Sequence, residues 1–258
     1  MLEVVLETVK KAGEVCLKNF RRLTSKDIQF KSDRDMVTTV DTQIQDMIRV
    51  ELARSFPKAG FVGEEGEEKK INNESSLFLV DPLDGTTSFV HGIPFYSISV
   101  AYREGNQTRL GVVYAPSLDL LYHAERGKGA YCNGRSIRVS KTTRLIDALA
   151  GTGFACIRHG DKPDTLPLLN EVVYRLRGLR RLGSAAVDLS FVADGRFDLF
   201  WEYNLDPWDV AAGVLIVEEA GGLVTDLGGG QAYEKKKQIA ASNALVHEEF
   251  IRVARKYQ

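Results

Sequence analysis

Cysteine is scarce in this chain. Cys16, Cys132 and Cys156 are the only three, far apart and never in a Cys-x-x-Cys pair, which argues against a disulfide framework and a thiolate zinc site. They are expected to be small buried apolar side chains in a reducing compartment, the cytoplasm. Histidine is sparse too: His91, His123, His159 and His247 are scattered without paired spacing, so a soft-metal centre is not expected. No apolar run reaches the roughly 18 residues a membrane helix needs, and no membrane association is expected. Neither sign of charge dominates, since 34 basic and 35 acidic residues leave a formal net charge of -1. Nothing there advertises a polyanion-binding surface, and no nucleic-acid partner is expected. The one locally basic stretch, Arg175 to Arg181 (RLRGLRR), reads as a solvated helix end or edge.

What is present is ordinary globular composition, 44% hydrophobic and 27% charged, in a chain of 258 residues. That length allows one large domain or two halves sharing an interface. The opening MLEVVLETVKKAGEVCLKNF places Leu2, Val5, Val9, Ala12, Cys16 and Phe20 at helical spacing with charges between them. It is expected to be an amphipathic helix and not a signal peptide. With no export signal expected, the acceptor tripeptides Asn73-Glu74-Ser75 and Asn106-Gln107-Thr108 are not expected to act as glycosylation sites. A second helix is expected over 41–55 on Ile44, Met47, Ile48 and Leu52, with Asp41 as a candidate cap. Strands are expected at 77–80, 96–103, 109–114, 120–124, 130–132 and 137–139. After the small-residue stretch Ala148 to Gly153, the pattern predicts helices at 163–177, 184–194, 208–220 and 247–256, with strands at 197–201, 222–226 and 238–241. No repeat or long linker interrupts it, so two packed halves fit better than independent domains.

Gly129 to Ser136 almost matches a P-loop, with Arg135 in place of the lysine. A P-loop needs a strand before it and a helix after it. Here Asn133-Gly134 separates two strand-like pieces, which is a hairpin signal.

The chemistry gathers elsewhere. The apolar run Leu77-Phe78-Leu79-Val80 leads into Asp81, Pro82 is expected to end the strand, and Asp84 follows at three residues' distance. Two such carboxylates repel and are costly to bury. An oxygen-only donor set suits a hard divalent cation such as Mg²⁺, which would cancel that repulsion. Gly85-Thr86-Thr87-Ser88 then offers free amides at a helix start, where phosphate binds. The plainer alternative is a strand end at Asp81, a helix cap at Asp84 and a glycine turn. Further acids at element ends, Glu64 and Glu65 after Phe61-Val62-Gly63 and Asp209 in Pro207-Trp208-Asp209-Val210, fit one shared site.

In this order, Gly63-Glu64-Glu65, Asp81-Pro82-Leu83-Asp84-Gly85-Thr86-Thr87 and Trp208-Asp209-Val210-Ala211-Ala212-Gly213 resemble the inositol monophosphatase family of Mg²⁺-dependent, lithium-sensitive phosphatases. The likeness runs from about Lys31 to Asn243, with Gly183-Ser184-Ala185-Ala186 and Glu219-Ala220-Gly221-Gly222 in support. It implies an α+β fold, a layered αβαβα sandwich of the type shared with fructose-1,6-bisphosphatase, and a homodimer. It also implies attack of a metal-activated water on a small phosphate monoester, with no covalent phospho-enzyme. Carried over by position, Glu64, Asp81, Asp84, Asp209 and the Leu83 carbonyl would hold metal, two or three Mg²⁺ per site. Asp41 and Thr86, with Glu64, would orient and deprotonate the water. The amides of Gly85 and Thr86 would cradle phosphate, and Gly183, Ser184, Ala185 and Glu202 would meet the substrate's hydroxyls. Glu65 would border the first metal. Lys31 matches a loop lysine near the metals, although the loop Ser32-Asp33-Arg34-Asp35 is one residue shorter than the animal pattern. Residues 1–145 would then carry most metal ligands, and 146–258 would carry Asp209 and the substrate contacts, in one compact unit.

The resemblance makes inositol-1-phosphate the leading substrate, with fructose-1,6-bisphosphate and histidinol phosphate as rivals. A 3′-phosphoadenosine nucleotide is disfavoured, because Thr86-Thr87 stands where those relatives usually have Thr-Lys. A non-enzymatic rival is a regulatory protein that binds transcription machinery, a role some bacterial relatives have.

Overall fold

The computed structural model describes residues 1–33, 35–66 and 76–258; Arg34 and the tripeptide at 73–75 lie outside them. Alternation along the strands sets the layers. In the strand Ser76–Asp84, Leu77 and Leu79 face one apolar core while Phe78 and Val80 face another. A sheet that is apolar on both faces has to be covered on both. Helices Leu2–Asn19 and Thr39–Ser55 cover one side with Val5, Val9, Ala12, Ile44, Ile48 and Leu52. On the other side lie Ala185–Ala193 and Pro207–Glu219, helices that are apolar nearly all round and therefore suit a central layer. A second sheet closes over them. Its Phe200, Ile239 and Ala241 face these helices, while Leu199, Trp201 and Ala240 face an outer core shared with Thr165–Val172 and His247–Ala254. The order of layers is αβαβα, the sandwich that the resemblance implied.

The larger sheet has seven strands in the order Gly60–Gly63, Ser76–Asp84, Ser97–Glu104, Gln107–Ala115, Leu120–Glu125, Ala130–Cys132 and Arg135–Ile137. All its pairs are antiparallel except the first, which is parallel. The smaller sheet has five, in the order Gly178–Arg180, Leu149–Thr152, Leu199–Tyr203, Gln238–Ser242 and Leu223–Thr225. Ile28–Ser32 and Asp35–Thr38 form a separate two-stranded ribbon. Asn133 (φ 48°) and Gly134 (φ 75°) turn a hairpin between two short strands, the arrangement expected of Asn-Gly.

Several expectations need correction. The strand beginning at Ser76 does not stop at Pro82: it runs to Asp84, and a bulge between Asp81 and Asp84 absorbs the missing proline donor. Asp41 is not the cap of its helix. Thr38 is, accepting from the Val40 amide, while Asp41 sits in the first turn and accepts from the Thr38 amide. The expected helix at 163–177 is α-helical over Thr165–Val172 and tightens to a 3₁₀ turn over Val173–Arg175, and Gly178–Arg180 forms a short edge strand. The arginine-rich stretch runs from a helix end at Arg175 into the edge strand Gly178–Arg180, the solvated end or edge expected of it, with Arg177 paired to Asp147 at 2.7 Å. The ribbon strands, Gly60–Gly63 and Leu149–Thr152 were not expected as strands; each is only four or five residues long and shows little alternation.

Candidate active site

Parallel pairing of Gly60–Gly63 with Ser76–Asp84 aligns Gly63 with Val80. The Glu64 amide donates to the Val80 carbonyl at 3.1 Å, so Glu64 and Asp81 leave adjacent strands side by side. The bulge then lets the Leu83 amide donate to Asp81 Oδ1 at 2.9 Å and carries Asp84 to the same end. Gly85 follows with φ 95°, and a Cβ there would lie 2.9 Å from the Phe95 carbonyl and 3.0 Å from that of Gly183. Only glycine suits both the backbone and the space. Asp209 comes from the other half of the chain. Pro207 opens its helix, and Asp209 Oδ2 accepts from the Asp206 amide at 2.7 Å, a capping box that fixes the carboxylate in the first turn.

One pocket is lined by Glu64, Asp81, Leu83, Asp84, Gly85, Thr86 and Asp209. Burial raises the carboxyls of Asp81, Asp84 and Asp209 above the usual range, and Glu64 pushes each of them further. Asp84 is partly relieved by Ser184 Oγ and the Ala186 amide, both donating to its Oδ2 at 2.7 Å. Lys31 pairs with Glu64 at 3.2 Å and with Glu65 at 2.6 Å, at the edge of the cluster. Among the described residues no three acids, histidines or cysteines stand as a ready-closed metal shell. The donor chemistry nonetheless fits a hard cation: oxygen only, buried at Asp81 and half-buried at Glu64, Asp84 and Asp209, and mutually repelling, with the charge left for an ion to neutralise.

Beside the acids, Thr86 Oγ1 lies 3.0 Å from Asp41 Oδ1 and 3.1 Å from the Leu83 carbonyl, so its single proton can be given to either. Asp41 is fully buried, and burial pushes its carboxyl up to about 7 against the bonds from Thr38 and Thr86. A carboxylate poised there can exchange a proton with the threonine hydroxyl near neutral pH.

Gly183, Ser184, Ala185 and Glu202 line the same pocket. Ser184 caps the central helix by accepting from the Val187 amide, and Glu202 Oε1 accepts from the Ala155 amide at 3.1 Å. A Cβ on Gly153 would lie 2.1 Å from the Glu202 oxygens, so that glycine makes room for the acid. Burial pushes the Glu202 carboxyl up to about 7. Of the expected site residues, Asp41, Glu65 and Lys31 do not line the pocket; Asp41 reaches it through Thr86, and Lys31 bridges Glu65 to Glu64 at its edge. Sequence reasoning missed Asp35, Arg158, Arg181 and Asp188, which also line it. For Asp188 a signal existed: it is a lone acid in an otherwise uncharged, wholly buried helix. For Arg181 the basic run around it pointed the other way, toward solvent.

A profile of the inositol monophosphatase family matches residues 1–258. An inositol-1-monophosphatase of Mesorhizobium japonicum is 38% identical over 256 residues, covering 99% of this chain and 96% of the relative. A Nus factor SuhB of Pseudomonas aeruginosa is 39% identical, covering 94% of this chain and 91% of the relative. Among solved structures, an extragenic suppressor protein suhB of Bartonella henselae superposes with a TM-score of 0.91 at 40% identity, covering 99% of this chain and 98% of that one.

Proposed function

The chain belongs to the inositol monophosphatase family, and we propose that it hydrolyses inositol-1-phosphate to inositol and phosphate with the aid of Mg²⁺. The observation that carries this reading is the meeting of Asp81, Asp84 and Asp209, from the two halves of the chain, beside the Thr86–Asp41 hydrogen bond. Glu64, Asp81, Asp84, Asp209 and the Leu83 carbonyl would hold two or three Mg²⁺. When bound, such cations supply an activated water and stabilise charge on the leaving oxygen. The chain's own groups do the rest. Thr86 Oγ1 orients the attacking water and passes its proton to Asp41, assisted by Glu64. The amides of Gly85 and Thr86 hold the phosphate oxygens in line. Glu202, with Gly183, Ser184 and Ala185, receives the hydroxyls of the leaving inositol. Residues 1–145 and 146–258 act as two halves of one unit, which works in the cytoplasm as a homodimer.

Phosphate release should be measured over inositol-1-phosphate, fructose-1,6-bisphosphate, histidinol phosphate and NADP, with Mg²⁺ and after chelation. Preference for inositol-1-phosphate, lost on chelation, is expected. Preference for another ester would move the substrate, and full activity after exhaustive chelation would overturn the metal chemistry. Inhibition by lithium is expected in the same assay.

A second reading is favoured by the relative named Nus factor SuhB: a regulatory protein that binds transcription machinery. Pull-down from a lysate of the source organism tests it. Recovery of RNA polymerase or elongation factors would support that role, and their absence would remove it.

A further inference from the structure

Asp188 stands where an acid is hardest to explain by folding alone. It is 1% exposed, in the central helix Ala185–Ala193, and its Oδ1 has no hydrogen-bond partner among the described residues. A buried polar atom left unpaired is costly and rare. Beside it, Gly153 makes room for Glu202, since a Cβ there would lie 2.1 Å from the Glu202 oxygens; a Cβ on Gly151 would crowd the Phe197 ring at 2.8 Å and meet Asp188 Cγ only in ordinary contact at 3.4 Å. Both acids line the pocket at which Asp81, Asp84 and Asp209 meet, and Arg181 lines it too.

We propose that Asp188 is a second substrate-binding carboxylate, whose free oxygen accepts a hydrogen bond from a leaving-group hydroxyl beside the one received by Glu202. This rests on the phosphatase reading of the pocket and deepens it. Among the described residues the Ala155 amide donates to Glu202, and no hydrogen bond reaches Asp188 Oδ1. A leaving group that pairs with that oxygen brings its own donor. A polyol with neighbouring hydroxyls does so; an aryl or simple alkyl group does not. Burial, then the charges of Glu202 and Asp84, hold the Asp188 carboxyl well above its usual range, while Arg181 opposes them.

The test uses the full chain with Mg²⁺, as wild type, Asp188→Asn and Asp188→Ala. kcat and KM are measured on inositol-1-phosphate and on p-nitrophenyl phosphate, with Tm as the control for folding. Losing a hydrogen bond to a charged group should cut kcat/KM for inositol-1-phosphate roughly 10- to 100-fold, mainly through KM. The loss on p-nitrophenyl phosphate should be several-fold smaller, so the selectivity between the two esters falls. Tm should hold or rise in Asp188→Asn, because the substitution removes a buried charge without changing size. Equal losses on both esters, or none on either, would overturn the proposal. Wild-type protein that hydrolyses neither ester would sink the phosphatase reading itself, and this assignment with it.

Discussion

Asp84 joins the two halves: its Oδ2 accepts from Ser184 Oγ and the Ala186 amide, and its carboxylate lines the acidic pocket. In Asp84→Asn the amide oxygen can keep those two donors, which turns the NH₂ toward the pocket and removes the charge. We expect turnover to fall more than about tenfold, or ~1.4 kcal/mol in barrier, with no loss of Tm in Mg²⁺-free buffer. A variant retaining over a tenth of the wild-type rate would return Asp84 to a purely structural role. His247 makes a different kind of prediction. It is 4% exposed, with Thr225 Oγ1 and Ser242 Oγ each 2.9 Å from a ring nitrogen. Because Thr225 gives its own proton to the Asp226 carbonyl, Nε2 must donate to it, and Nδ1 accepts from Ser242. Burial lowers its pKa from 6.5 to about 4, against the pull of Glu248. The unfolded chain therefore binds the extra proton between about pH 4 and 6.5, so this histidine's contribution is intact above the upper limit and fades as pH falls. The loss is on the order of 3 kcal/mol over that window. Urea unfolding of wild type and His247→Gln at pH 7.5 and 5 checks it: the wild type should lose more stability on acidification than the variant. Parallel losses would show that the ring does not titrate differently on folding.

At the scale of elements, the tight seat of the Pro207–Glu219 helix on the larger sheet is what delivers Asp209. Gly111 sits in the strand Gln107–Ala115, and a Cβ there would lie 2.7 Å from the Ala212 carbonyl and 2.9 Å from its Cα. Those are backbone atoms of the helix, so relief requires the helix to move. Gly111→Ala should destabilise the protein by about 1–3 kcal/mol through overpacking. It should also lower kcat by shifting Asp209 relative to Asp81 and Asp84. Chemical denaturation and steady-state kinetics read the two effects separately. A variant as stable and as active as wild type would show that the interface yields without displacing the acid.

For the whole molecule, a cation held by Glu64, Asp81 and Asp84 from one half and by Asp209 from the other would tie the halves together. Metal that binds only the folded state should then raise stability, by about 2.7 kcal/mol at a hundred times its Kd. Thermal unfolding with Mg²⁺ and with chelator measures this, and Asp209→Asn should lose most of the shift. An equal shift in that variant would place the bound Mg²⁺ away from the shared pocket.

Local chemistry made much of this legible in advance. Glu64, Asp81, Asp84 and Asp209 stand out because each is an acid set against an apolar strand or at a helix start, where burial is costly without a purpose. The Asn133-Gly134 hairpin and the amphipathic helix Leu2–Asn19 follow from backbone preference and period alone. Short elements were harder. The edge strand Gly178–Arg180 has three residues and no alternation long enough to detect, and the proline within Ser76–Asp84 hid the bulge that carries Asp84. The sequence by itself determined which residues are costly to bury, and so which acids call for an explanation. Which of them share a pocket was decided only by the tertiary structure. Asp188, Glu202 and Arg181 meet Asp81, Asp84 and Asp209 there through strand pairings about fifty residues apart and contacts such as Ser184 with Asp84, about a hundred apart, which local periodicity does not encode.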